Sequence, residues 1–365
     1  MHVTRAGRIS VITVILMSIG LINHVIILPM LLEEAGRDAW ISVAIATGCL
    51  LIALAPLCAA LRDIGLAPLP AWLRRKGGRL SQFVVLGVLC VFLGLEAAAT
   101  SVDMLTWTNS TYLPETPPLA TSLIFVLLCV CAACIGMHAV VYIACIALPI
   151  VCFLGFFVAT GNAHRKDYSQ LLPVLEHGFS PVLQGAVTVG SGLAELFVFV
   201  LLQGYATKPF HPLHVYLTAL FIVMLATGPT LAAIAEFGVH ESGIMRYPAF
   251  SQWRLLTIGR YIEHLDFLAI FQWISGAFVR TSVSLCLILD LIGIRAVKKR
   301  AGVLGLLAAL LVFLCVYPFG DAVQYDFYRE MRPVALCAMI ALTMFVWALS
   351  LMKRGEGRSS DANGA

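Results

Sequence analysis

Apolar runs of about 20 residues follow one another from Ile9 to Met352, and each is long enough to cross a hydrocarbon core of roughly 30 Å as a helix. Inside a bilayer every backbone N–H and C=O must find a partner within the chain, which leaves only helices and closed barrels. Barrel strands alternate apolar and polar residues, whereas these runs are continuous. The sequence therefore predicts an all-α integral membrane protein. Composition agrees: 60% of residues are hydrophobic, 12% are charged and the mean hydropathy is +0.93. A chain with so few charges could not cover itself in water, where roughly a quarter of residues are charged.

The runs place ten transmembrane helices at 9–31, 39–61, 80–107, 119–137, 139–160, 182–206, 212–236, 264–293, 302–319 and 332–352. Around Gly136 and His138, one long helix in place of two would make the count nine. Arg5 and Arg8 precede the first run in the manner of a signal peptide, but the run extends to Leu32 with no small-residue cleavage site, so a retained first helix is expected. With ten spans both termini share a side. The loops on that side carry most of the Lys and Arg (Arg62, Arg74, Arg75, Lys76 and Arg79; Lys298, Lys299 and Arg300). The positive-inside bias puts both termini in the cytoplasm and leaves Arg37, Arg165, Lys166, Arg246, Arg329 and Arg332 on the outer side. A single membrane domain over 1–352 is expected, followed by a short, polar, disordered tail at 353–365. Segment 237–263, with Trp253, Leu255, Leu256, Ile258 and Tyr261, suits a short interfacial helix over the bundle.

The 11 cysteines all sit in apolar runs, so they read as small buried hydrophobes, the cluster Cys129, Cys131 and Cys134 included. The net charge of +4 arises from the loop bias and implies no nucleic acid. No nucleotide-binding loop, metal-binding helix or nucleophile elbow occurs, so an enzyme has no residue set to stand on and no cofactor is expected.

Two spans carry residues that weaken a helix. The first has Gly20, Asn23, His24 and Pro29; the sixth follows Pro181 with Gly185, Gly190 and Gly192. First and sixth of ten are matching places in two five-helix halves, about 9–160 and 182–352. Paired interruptions of this kind point to a midplane binding site in inverted-repeat transporter folds. Glycines that merely allow close helix packing are the plainer alternative. Ionisable groups inside spans are costly and face a cavity or a partner. Glu96 and Asp103 share a face of the third span, Glu195 follows the sixth-span glycines, and Asp266, Arg280 and Asp290 lie along the eighth. The candidate ligand-binding set is Gly20, Asn23, His24, Glu96, Thr100, Gly185, Gly190, Gly192 and Glu195. A structural ion pair of Arg280 with Glu96 or Glu195 remains open at this stage, as does a headgroup location for Asp103, Asp266 and Asp290.

Three segments carry a resemblance: AGRDAWIS (35–42), QLLPVLEHGFSPVLQGA (170–186), and 246–285 with Glu263, Asp266, Trp273 and Arg280 in order. Together they resemble the B-subunit family of spore germination receptors, within the amino acid–polyamine–organocation superfamily, from about Ile9 to Met352. The resemblance implies a LeuT-like fold of two inverted five-helix repeats with interrupted helices 1 and 6. It implies a germinant site among helices 1, 3, 6 and 8, with Pro29, Asp266, Trp273 and Arg280 in structural or signalling roles. It further implies a complex with A and C subunits in the spore inner membrane, in contact with lipid. Where the family has a glycine-containing stretch before the helix 1 proline, this chain has Ile22-Asn23-His24-Val25. Three functions fit such a chain: a receptor subunit that binds a small nutrient germinant (an amino acid) and signals to partner subunits, a secondary amino-acid transporter, or a non-binding assembly scaffold.

Overall fold

The structure, a computed structural model, describes residues 5–259, 261, 262, 264–294, 296–317 and 320–352. The expected tail at 353–365 and Glu263 lie outside the described residues. Helix α1 (Arg8–Leu21) passes through a wide π turn at Ile22–Ile26 into α2 (Ile27–Ala35). Pro29 explains the turn: it has no N–H for the carbonyl one turn back, and its ring crowds that carbonyl. Asn23 adds to the effect, because its Nδ2 donates to Ile19 O at 2.9 Å and competes with the backbone ladder. Gly36 adopts φ 52, closed to most side chains, and a short turn at Gly36–Asp38 leads into α3 (Ala39–Ile64).

Helix α4 (Leu69–Thr111) is kinked at Gly78. Gly136, at φ 112, breaks the chain between α5 (Pro118–Ile135) and α6 (Met137–Gly161), so two helices meet there. The sixth span is α7 (Phe179–Ala194), a tight 3-10 turn at Glu195–Phe197 and α8 (Val198–Leu202). Then come α9 (Pro212–Phe237), two short helices α10 (Val239–Ile244) and α11 (Pro248–Arg254), α12 (Phe267–Ile292), α13 (Val297–Val316) and α14 (Asp321–Leu351).

Among the described residues nine helical segments are long and apolar enough to cross a membrane. The first, Arg8–Ile64, has 57 residues, and the Gly36 turn divides it into two stretches that are each of spanning length. The chain is a multi-pass membrane protein.

The segments 8–64, 179–205 and 267–292 form the buried centre, while α13 is almost wholly peripheral. Helix α12 packs along α4, α7 lies against α2, α3 and α14, and α1 is flanked by α6, α9 and α12. The irregularity in the sixth span falls at Glu195, not at the glycines, which belong to regular helix. Those glycines serve close approach. A Cβ at Gly185 would sit 2.7 Å from Ser42 Oγ and 2.9 Å from Leu31 Cδ1, and one at Gly192 would sit 2.2 Å from Ile27 Cδ1 and 2.7 Å from Asn23 Oδ1. The interfacial segment holds two short helices, with Trp253 and Leu256 buried but Ile258 and Tyr261 exposed.

Gly185→Val should lower thermal stability by about 1–3 kcal/mol through overpacking against α2 and α3. Gly48→Leu, where an added Cβ meets nothing within 4 Å, should leave it unchanged. Melting of the purified protein, followed by fluorescence-detected size exclusion, distinguishes the two.

Candidate functional site

The centre of the bundle is organised by the side chain of Arg280, 3% exposed on α12. A guanidinium has five N–H groups in a rigid fork and must find an acceptor for each when buried. All five are met. Nε donates to Thr100 Oγ1 at 3.0 Å; Nη1 donates to Ser18 O at 3.0 Å and Glu195 Oε2 at 2.7 Å; Nη2 donates to Glu195 Oε1 at 3.0 Å and to Glu96 Oε2. Glu195 is held through both carboxylate oxygens, the strongest arrangement available to such a pair.

Local structure supplies each acceptor. Glu96 and Thr100 are one turn apart on α4 and therefore share a face. The 3-10 turn at Glu195–Phe197 begins at the carboxylate residue itself. Ser18 lies one turn before the π turn, where the Ile22 N–H donates to Ile19 O. Arg280 reaches this carbonyl of α1 just before the irregular stretch. Arg332 Nη1 lies 4.0 Å from Glu195 Oε1, so the site holds two guanidinium groups and two carboxylates, all buried. A cavity of only about 30 Å³ adjoins the cluster, with Ser18, Glu96, Glu195 and Arg280 among its walls, which is room for little more than a water molecule.

A second charged group lies on the side of α10 and α11. Arg246 forms an ion pair with the fully buried Asp103, and its guanidinium stacks over Tyr247 at 4.6 Å and Tyr325 at 5.2 Å. Burial works against the Arg246 charge, but Asp103 beside it raises the guanidinium above its ordinary value. Tyr325 donates to Glu33, and Tyr328 donates to Ala99 O at 2.9 Å. These contacts tie α2, α4, α14 and the segment after α10 together.

The nine expected ligand-binding residues fall in three places. Glu96, Thr100 and Glu195 converge on Arg280. Gly20 and His24 line a separate cavity of about 360 Å³ between α1, α6, α9 and α12. Asn23, Gly185 and Gly192 mediate helix packing, and Gly190 faces Leu336 of α14. No residue of 179–205 lines the larger cavity, so the expected pocket between spans one and six is not the one with room in this structure.

Pro29 sits beyond the π turn. Asp266 accepts from Tyr112 through its backbone oxygen at 2.9 Å and its carboxylate at 3.3 Å, while Trp273 stacks on Trp107 at 4.1 Å. Asp103 is buried and paired with Arg246. Arg332 corrects the loop assignment: α14 begins at Asp321, so this arginine lies three turns inside a helix. The polar stretch before it hid the helix start. Arg332 stands next to Pro333, and a basic residue beside a proline at the head of an apolar run was its one visible signal.

Residues 7–321 match the family described as spore permease, spore germination protein. The chain is also similar to Spore germination protein XB of Bacillus anthracis, at 34% identity over 346 residues, covering 93% of this chain and 97% of that protein.

Replacing Arg280 by Met should cost about 3–5 kcal/mol, because two buried carboxylates lose their counter-charge. The expected readout is a large fall in melting temperature and in accumulation in membranes.

Proposed function

This chain belongs to the spore germination protein family, and on that premise we propose that it is the membrane subunit of a germinant receptor, with the Arg280 cluster as its recognition and signalling centre. The observation that carries the reading is the convergence of Ser18, Glu96, Thr100, Glu195 and Arg280 from the first, third, sixth and eighth spans on one charged point. We further propose ten crossings in two inverted halves, about 9–160 and 182–352, with both termini cytoplasmic and the protein in the spore inner membrane. Signalling then passes to A and C partner subunits. The family is not one of enzymes.

The chemistry suits a small zwitterion such as an amino acid. Its carboxylate can take Arg280 from one of the two glutamates, and its ammonium can take the glutamate so released. Every charge keeps a partner, so the exchange avoids the cost of a stranded buried ion. The exchange separates α12 from α4 or from α7, because the bond that joined them is now made through the ligand. The adjoining space of about 30 Å³ does not hold an amino acid, so binding requires a more open arrangement. A ligand that binds the open arrangement better shifts the population toward it, which is what a receptor needs and what transport need not accompany. Gly20 and His24 stand on the opposite face of the same irregular stretch of α1 and report its movement.

Glu96→Gln and Glu195→Gln keep an acceptor oxygen for Arg280 but remove the charge offered to an ammonium. Both should accumulate in spores, and at least one should raise the germinant concentration needed by about tenfold, the equivalent of roughly 1.4 kcal/mol. Normal dose responses in both would remove the site from this cluster. Chain reconstituted in liposomes should bind a radiolabelled germinant without accumulating it. Saturable uptake driven by an ion gradient would instead make it a transporter.

A further inference from the structure

The cavity of about 360 Å³ beside α1 lies outside the charged cluster. Helices α6 and α9 each pack on α1, and the cavity separates them. Phe156 and Ala159 of α6, with Met224 and Gly228 of α9, line it and are exposed at its edge, whereas Met17, Val158 and Trp273 behind them are buried. Phe153 and Leu220 continue the exposed apolar surface on either flank. This is surface of the kind that meets hydrocarbon in a membrane.

Its length is also informative. Along α6 the lining runs from Leu148 to Ala159, roughly 16 Å at 1.5 Å per residue. That is close to half of a hydrocarbon core of about 30 Å, the depth of one leaflet.

Most polar atoms of the walls are already engaged. Gln272 accepts from Trp253 Nε1 at 3.0 Å and donates to Val151 O at 2.9 Å; Gln252 Nε2 donates to Pro229 O at 3.2 Å; His24 Nδ1 lies 3.4 Å from Leu225 O. What remains toward the cavity is largely aliphatic carbon and the rings of Phe156, Phe221, Phe250, Trp253 and Trp273. The charged end is Lys166, which follows the end of α6. Its ammonium donates to Ala159 O at 2.8 Å and forms an ion pair with Glu236 Oε1 at 3.7 Å, so one of its three N–H groups is taken by the carbonyl and the ion pair leaves the others unbonded at hydrogen-bond distance. A polar, compact solute finds almost nothing to bind along these walls, whereas a flexible chain of methylenes with an anionic group at one end fits walls and end together.

We propose that this cavity holds one acyl chain of a glycerophospholipid, which enters between α6 and α9 and leaves its phosphate at Lys166. The chain end reaches Leu16 and Met17, beside the π turn that positions Ser18 for Arg280. Lipid occupancy therefore braces the irregular stretch of α1 from the face opposite the charged cluster.

The test fills the cavity without disturbing the backbone. A Cβ at Gly228 meets nothing within 4 Å, and one at Gly155 meets only Gln272 Nε2 at 3.8 Å, so Gly155→Leu with Gly228→Leu places two side chains in the free space. The full chain is reconstituted into phosphatidylglycerol vesicles with or without brominated acyl chains, and the emission of Trp273 is taken as the difference from Trp273→Phe. Trp273 is 5% exposed and shielded from bulk lipid. Brominated chains should quench it in the otherwise unaltered protein, and the quenching should be lost in the filled variant at unchanged melting temperature. Native mass spectrometry of detergent-purified protein should show one retained phospholipid, absent from the filled variant and weakened by Lys166→Gln. Trp273 emission indifferent to bromination, or quenching that persists in the filled variant, overturns the proposal. Displacement of the Trp273 signal by a water-soluble germinant at constant lipid would also overturn it and make the cavity a germinant pocket.

Discussion

A guanidinium taken out of water needs five acceptors and a compensating charge, and Arg280 obtains both from three other spans. That requirement explains features that otherwise look like defects. The π turn at Ile22–Ile26 begins one turn after Ser18, whose carbonyl is one of the five acceptors. The 3-10 turn at Glu195–Phe197 falls at the residue that supplies two more. Helix α4 provides the last two from Glu96 and Thr100, a turn apart. Removing any one element would leave a buried donor unmet, which costs about 1–3 kcal/mol and more for a charged group.

Charge neutrality imposes a second condition. Arg280 alone would leave one carboxylate in excess, and Arg332 from α14 offsets it at 4.0 Å from Glu195. Helix α14 is thereby coupled to the segment α7–α8 by electrostatics as well as by packing. Toward α10 and α11, Asp103 and Arg246 form an independent pair braced by Tyr247 and Tyr325, and Asp103 lies on the same helix as Glu96 and Thr100. Helix α4 thus carries an acidic group to each of two cationic partners, so a displacement of α4 strains both pairs. Hydrogen-bonded clusters of this kind have discrete arrangements rather than a continuum, which suits a switch between states.

Much of this was legible in the residues. Continuous apolar runs dictated membrane helices, the break at Gly136 followed from a glycine between two runs, and the intramembrane Glu96, Glu195 and Arg280 marked themselves by their cost in hydrocarbon. The sequence left open whether Arg280 would pair with Glu96 or with Glu195; it pairs with both, a three-body contact that no spacing along one chain encodes. The glycines stayed ambiguous for a related reason. Gly185 and Gly192 admit a neighbouring helix, and a sequence shows that space is needed without showing whether a helix or a ligand fills it. Arg332 was assigned to a loop because hydropathy marks where lipid begins, while a helix can begin eleven residues earlier on polar ones. The large cavity was invisible because its walls are mostly apolar residues of five helices, indistinguishable by type from packed core.

The first span therefore has two faces with opposite chemistry. Ser18 looks into a charge-balanced cluster with little free volume; Gly20 and His24 look into a roomy apolar cavity. The π turn that serves the first face also inserts extra backbone on the second, and neither face can move without the other because both are set by the same few residues. Free volume lies on one side of α1 and directional bonding on the other. A displacement of the span toward the cavity meets little resistance from packing, so what opposes it is the Arg280 bond to Ser18 O together with whatever occupies the cavity. A loosened charged cluster and an emptied cavity would then favour the same displacement of the first span.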